Sequence, residues 1–349
     1  MVRLGIIGLG AVFIFGHLAH LENVKNHKIV AICDINEDKL KEYGEKLGIE
    51  EKYRFNDYKE LLKCEEIDAV EICTPNFLHV EMAKAAANAG KAVEIEKPLS
   101  IDCNGIDELV TLIENKNIPN MMCFSYRFKP AVQYAKKLID DGKLGKIINV
   151  SIEYLKDSAF MPGRKLEWRF IKSMAGSGVL GDLGVHLVDM TKFLVGDFKT
   201  VYAMKDIVVK ERQYETKNEV GKVETDDIVS FIAKLENNII ANFTVTRCAL
   251  GNSNTIKYEL YGTNGVIKFN LNNPEELTWG ILKDGSHEVE LITEKIPDEY
   301  LKIDQEQTFI DAVMGKKADF LPDIREGAIC QRVVDAILES SETGMPVEL

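Results

Sequence analysis

Short apolar runs rich in β-branched residues alternate with segments of helical period through the first third of the chain. Arg3–Gly8, Ile29–Asp34, Ala69–Cys73, Ala92–Ile95 and Met121–Phe124 have the length and near-continuous hydrophobicity of strands buried on both faces. The amphipathic stretches between them, Val12–Leu21, Glu37–Leu47, His79–Ala89 and Ile106–Asn115, predict helices, the third ending at Gly90. This alternation predicts a doubly wound parallel sheet. After a further helix at Ala131–Asp141 the pattern changes to longer β-like runs at Ile147–Leu155, Ile228–Leu235, Ile239–Thr246 and Ile256–Gly262. Asn264-Gly265 predicts a type I′ hairpin into Val266–Phe269. Two closing helices carry capping signatures, Asp304 with Gln307 and Asp323 with Glu326. The expected fold class is α/β: a doubly wound domain over residues 1–124, then an α/β domain with a large, mainly antiparallel sheet over residues 125–349.

Composition narrows the class. A chain of 349 residues exceeds one compact core, and 46% hydrophobic with 28% charged residues excludes disorder and low complexity. The 43 basic and 56 acidic residues give a net charge of −13, which argues against nucleic acid and anionic membrane surfaces as partners. Seven scattered cysteines without a CxxC pair fit a reducing cytoplasm better than a disulfide framework. The apolar stretch Leu4–Phe15 lacks a small-residue cleavage site, and no run reaches the roughly 18 apolar residues of a membrane span. The chain is expected to be soluble, unprocessed and cytoplasmic.

Candidate chemistry begins where the first strand enters Gly8-Leu9-Gly10-Ala11-Val12-Phe13 and a helix. Gly8 permits a tight turn and Gly10 a close approach of pyrophosphate to backbone N–H groups at a helix start. Phe13 stands where a third glycine is usual, so helix and strand must pack differently. Asp34, 24 residues beyond Gly10 and followed by Ile35, can accept both ribose hydroxyls and would repel a 2′-phosphate, favouring NAD over NADP. A simple strand-to-helix link with Asp34 as a solvated strand end is the other reading these motifs leave open. His17 and His20, three residues apart on the first helix, have no adjacent carboxylate or cysteine cluster and read as surface or interface histidines; no metal site is expected.

With Thr74-Pro75-Asn76-Phe77-Leu78-His79 and the run "AGKAVEIEKPLS", the sequence resembles the Gfo/Idh/MocA family of nicotinamide-dependent sugar and polyol dehydrogenases. The likeness continues in order through "YRFKP", "LGKI", "GSGVLGDLGVHLVD" and "FIDAVMG", across nearly the whole chain. It implies a Rossmann domain followed by an α/β domain. It further implies that Thr74, Pro75, Asn76 and His79 line the cofactor cleft, and that Glu96-Lys97-Pro98 is the family's "EKP" element with Lys97 between nicotinamide and substrate.

Oxidising a secondary alcohol requires a proton to leave oxygen as hydride leaves carbon, so a Lys that stabilises developing alkoxide and a base near neutral pH are the groups to seek. Asp182 and His186, four apart on a helical segment, share a face; a structural hydrogen-bonded pair and a catalytic pair both fit that spacing, and the resemblance favours catalysis. Asp189 on the same face reads as a supporting carboxylate. Arg127 reads either as a cleft residue or as an interdomain salt bridge, and Trp168-Arg169 resembles a family pair near the cofactor, with a buried Trp beside an exposed Arg as the other reading. Tyr154 and Arg247 are candidates for the floor of a substrate pocket. The expectation is an NAD-dependent dehydrogenase of a cyclic polyol or sugar hydroxyl, working as a homodimer or homotetramer. An NAD-retaining glycosidase or epimerase, or a redox-silent NAD-binding sensor, are the rival readings.

Overall fold

The protein is described from a computed structural model covering residues 1–215 and 217–349. The chain forms two compact units: Met1–Phe124 with Asp304–Ile329, and Ser125–Ile303 with Cys330–Leu349.

In the first unit, β1 (Val2–Ile7), β2 (His27–Cys33), β3 (Arg54–Phe55), β4 (Ala69–Ile72), β5 (Ala92–Ile95) and β6 (Asn120–Met122) make one sheet in the order β3-β2-β1-β4-β5-β6. Every pairing is parallel. The apolar runs mark five of these strands to within a residue or two; β3, only two residues long, is too short to leave a periodic signal. Because β1 pairs with both β2 and β4, the sheet order reverses at β1, and the turn after β1 lies where open α/β sheets bind ligands. The helix after that turn includes a π turn over Phe13–His17, a widening the Val12–Leu21 period did not predict.

The segment Asp304–Ile329, read from the sequence as part of 125–349, groups with this unit. Asp304 caps the helix Gln305–Val313 by accepting the Gln307 N–H at 2.8 Å, and Asp323 accepts the Glu326 N–H at 2.8 Å, as the capping signatures predict. Phe309 and Ile310 are buried, the Met122 N–H donates to the Pro322 carbonyl at 2.8 Å, and the Ile324 N–H donates to Asn120 Oδ1 at 2.7 Å. The returning chain thereby occupies polar groups on β6, which ends the sheet order.

The second unit is built on a nine-stranded sheet whose centre holds Thr255–Gly262, Ile147–Leu155, Ile240–Thr246 and Ile228–Leu235 in that order. Every pairing in it is antiparallel except Ile147–Leu155 with Ile240–Thr246. Alternate residues of Ile228–Leu235 are buried, and Phe231 stacks on Phe243 of the neighbouring strand at 4.2 Å. The hairpin after Thr255–Gly262 forms, but neither Asn264 nor Gly265 has a positive φ, so its turn is not type I′. Left-handed backbone falls instead at Asn237 and Asn238, both with φ of 61°, between Ile228–Leu235 and Ile240–Thr246. Asparagine tolerates this conformation better than other residues with a β-carbon, and an Asn-Asn pair is a weaker written signal than Asn-Gly.

Candidate active site

The glycine turn is shaped by contact. Gly8 has φ of +99°, and a β-carbon there would stand 2.8 Å from the Cys73 carbonyl oxygen, so the turn after β1 packs against the end of β4 only with glycine. At Gly10 the nearest atom to such a carbon is 4.0 Å away, which leaves the backbone approachable. Phe13, in place of a third glycine, is fully buried and fills the helix-to-sheet contact with side chain. Asp34 ends β2 with one carboxylate oxygen accepting the Leu9 N–H at 2.7 Å and the other accepting the Asn36 N–H at 2.9 Å. Ile35 beside it is 91% exposed, an apolar surface next to a carboxylate.

At the ends of β4 and β5 lie the other first-unit candidates. Thr74 and Pro75 are half-buried, whereas Asn76 and His79 are buried. The His79 ring nitrogens face the carbonyls of Pro98 and Thr74 at 2.8 Å each, while burial lowers its pKa. Lys97 is half-buried and joined to Pro98 by a cis peptide. Glu96 accepts the Lys97 N–H at 3.0 Å and contacts His17 Nε2 at 2.8 Å. Burial opposes charge on Glu96, yet His17 and Lys97 hold its pKa at about 2.

His17 overturns the expectation of a surface histidine. It is 3% exposed, with Glu71, Glu96 and Glu306 around its ring, because the π turn carries it inward and its partners come from β4, the end of β5 and the helix Gln305–Val313. The expected lack of a carboxylate and cysteine cluster is overturned as well, since Cys73 and Cys123 lie in the same group. His20 is exposed.

In the second unit the helical segment bearing Asp182 and His186 is a π turn over Leu180–Gly184 running into the helix Val185–Val195. Gly178 precedes it because a β-carbon there would overlap the Asp226 backbone, while the Asp226 carboxylate accepts the N–H groups of Gly178 and Leu180 at 2.7 and 2.9 Å. His186 is buried and meets Tyr126 edge to face at 4.7 Å between ring centres. Tyr126 and Tyr154 share a hydroxyl hydrogen bond of 2.8 Å, and Asn254 joins both, accepting from Tyr154 at 2.8 Å and donating to Tyr126 at 3.1 Å. Burial, then Tyr126 and more weakly Asp182, push the Tyr154 phenol well above its ordinary pKa. Tyr126 and Asn254 were not singled out from sequence; Tyr126 adjoins the "YRF" arginine, but no local signal marks Asn254.

Arg127 is 2% exposed and forms a two-point ion pair with Asp189, stacked over Phe193 at 4.9 Å. Arg247 donates to the Asp226 carbonyl at 2.9 Å and lies over Phe170. Arg169 lies over Trp168 at 4.4 Å and pairs with Glu167.

Residues 2–123 match the model of an oxidoreductase family with an NAD-binding Rossmann fold, and residues 132–268 match the GFO/IDH/MocA C-terminal domain. The chain belongs to the Gfo/Idh/MocA family. Within that family it is 35% identical to levoglucosan dehydrogenase of Pseudarthrobacter phenanthrenivorans over 72% of this chain and 67% of that one. It is 27% identical to myo-inositol 2-dehydrogenase of Thermotoga maritima over 89% and 88% of the two chains. A levoglucosan dehydrogenase structure in complex with NADH and L-sorbose superposes with a TM-score of 0.90 at 30% identity, covering 100% of this chain and 98% of that one. As a member of the Gfo/Idh/MocA family the protein is an NAD-dependent oxidoreductase acting on CH–OH groups. The turn fits the cofactor: Gly8 closes on Cys73, the backbone at Gly10 is open, and a carboxylate stands at the end of β2. Among the described residues no helix is long and apolar enough to cross a membrane.

Proposed function

We propose that the protein oxidises one secondary hydroxyl of a sugar or cyclic polyol and that Lys97, Asp182 and His186 handle the proton. The observation that carries this reading is the end-to-end likeness to a levoglucosan dehydrogenase whose structure holds NADH and a sugar. Bound NAD supplies the hydride acceptor. Gly8, Gly10, Ala11, Val12 and Phe13 form the turn for its pyrophosphate, with Asp34 for the adenosine ribose and Ile35 as an apolar surface beside it. Thr74, Pro75, Asn76, His79 and Glu96 would shape the nicotinamide end, with Trp168 and Arg169 contributing from the second unit. Arg127, committed to Asp189, would support the site through that ion pair.

Lys97 places an ammonium on the reacting hydroxyl oxygen and stabilises the alkoxide charge as it develops, a role worth about 2–4 kcal/mol in a dry site. His186 accepts the hydroxyl proton, and Asp182 orients the reacting groups. Tyr154, whose phenol keeps its proton at neutral pH and donates it to Asn254, would accept a hydrogen bond from a second substrate hydroxyl at its oxygen. Arg247, paired with Asp227 and donating to the Asp226 carbonyl, would support the floor of the same pocket from beneath.

The test is NADH formation from NAD with inositols, aldoses, uronates, levoglucosan and glycosides, run beside Lys97→Ala and His186→Ala. Wild type accumulates NADH with at least one free sugar or polyol, and each variant loses about 100- to 1,000-fold in kcat. Variants matching wild type would overturn the roles; glycoside cleavage without NADH accumulation would replace the reaction by an NAD-retaining one.

A further inference from the structure

β4 and β5 have the same sequence, Ala-Val-Glu-Ile, and their glutamates, Glu71 and Glu94, are register partners with no exposed surface. Glu306, 2% exposed, reaches them from the helix Gln305–Val313, and one oxygen from each of the three carboxyls lies within 4.8 Å of the others. His17 Nδ1 stands 2.9 Å from Glu71 Oε1 and 2.9 Å from Glu306 Oε1. The same 4.8 Å spacing groups His17 with Glu71 and Cys73, and His17 with Glu94 and Cys123. With Glu96, four carboxyls surround one imidazole in a dry core, where burial and the neighbouring Glu306 and Glu71 push the Glu94 carboxyl up towards its neutral form. A second observation concerns atoms rather than charge: the Oε2 atoms of Glu71, Glu94 and Glu306 are all buried and make no hydrogen bond.

We propose that His17, Glu71, Glu94 and Glu306 bind one divalent first-row transition ion, zinc, iron(II) or manganese(II), with the Cys73 and Cys123 thiols bordering the site. Imidazole among carboxylates suits these ions rather than magnesium or calcium, which take oxygen ligands alone. A tetrahedral ion with bonds of about 2.0–2.1 Å spaces its donors about 3.3 Å apart, so the 2.9 Å separations need only a small outward adjustment. His17 stands with Nε2 2.8 Å from Glu96 Oε1 and Nδ1 2.9 Å from both Glu71 and Glu306, so an ion bound at Nδ1 would replace the proton between the ring and those carboxylates. Glu96 also accepts the Lys97 N–H, so the ion would brace the backbone that leads into Lys97. All of these residues belong to the first unit, and the inference is independent of the substrate reading.

The test is elemental analysis of wild-type protein expressed in media supplemented in turn with zinc, iron or manganese and then desalted, together with its Tm. The expected result is about one ion per chain from at least one medium, the loading medium identifying the ion. Treatment with a chelator lowers Tm by several degrees, the chloride of the loaded metal restores it, and the double variant Glu94→Gln/Glu306→Gln carries only background metal. The proposal is overturned if wild type carries no stoichiometric metal from any medium and neither the chelator nor the three metal chlorides move its Tm. The carboxyls would then share protons among themselves. Should the double variant fail to fold, the wild-type metal content and chelator response decide alone.

Discussion

At the scale of single residues, Asp34 ties down the glycine turn by accepting the Leu9 N–H, and the function proposed above gives it a second task at the adenosine ribose. Asp34→Ala should raise the KM for NAD about 10- to 100-fold, the worth of hydrogen bonds to a charged group, and improve the ratio of NADP to NAD turnover. Initial-rate kinetics with both cofactors checks this, and an unchanged cofactor ratio would remove Asp34 from the ribose. Buried acids set the alkaline limb of stability. Burial raises the Cys33 thiol from 9.0 to about 12, and burial with Tyr126 raises the Tyr154 phenol well above 10.0. Both groups keep their protons when folded and release them more readily when unfolded. Their contribution is therefore complete below about pH 9 and lost as pH climbs through the folded values. Urea unfolding at rising alkaline pH should show falling stability; a flat profile would contradict the assignment. The placing of Gly8, Gly10 and Asp34 at the turn after β1 and the end of β2 was legible because it follows from neighbours in sequence. His17 was not, because the carboxylates that define it stand at positions 71, 96 and 306, and no local pattern carries that meeting.

At the scale of elements, strands buried on both faces announce themselves, whereas β3, Glu276–Ile281 and the edge strand Ile292–Lys295 do not. These strands are short or carry charged residues that break the apolar run. The hairpin between Ile228–Leu235 and Ile240–Thr246 holds two consecutive asparagines in left-handed backbone, a conformation costly for any residue with a β-carbon. Asn238→Gly should therefore raise unfolding free energy by about 0.5–1 kcal/mol, and Asn238→Val should lower it by about 1–2 kcal/mol. Urea titration of the two variants beside wild type measures both, and the opposite order would show that the turn is held differently. The two π turns, at Phe13–His17 and Leu180–Gly184, also escaped the helical period, which fixes a face but not a local widening of the turn.

At the scale of the whole molecule, the second unit leaves large apolar side chains on the outward face of its sheet. Ile232 is 54% exposed and Met204 72%, with Ile148, Tyr202 and Ile240 also exposed on strands of the same sheet. We infer that another copy of the chain covers this face, giving a homodimer or homotetramer. Sizing by light scattering at micromolar concentration should return a multiple of 39.2 kDa, and Ile232→Lys with Met204→Lys should shift it toward one chain. A wild-type monomer would refute the arrangement. The alternation of strand and helix made the two-part architecture legible, but not the return of Asp304–Ile329 to the first unit. That segment is an ordinary amphipathic helix and loop by composition, and its destination is set by Phe309, Ile310 and the polar groups of β6. A ribosome releasing this chain must therefore emit almost all of it before the nucleotide-binding half can be finished. A fragment stopped at Phe124 would lack the piece that closes its own sheet, and any exchange of halves between relatives must carry three cuts rather than one.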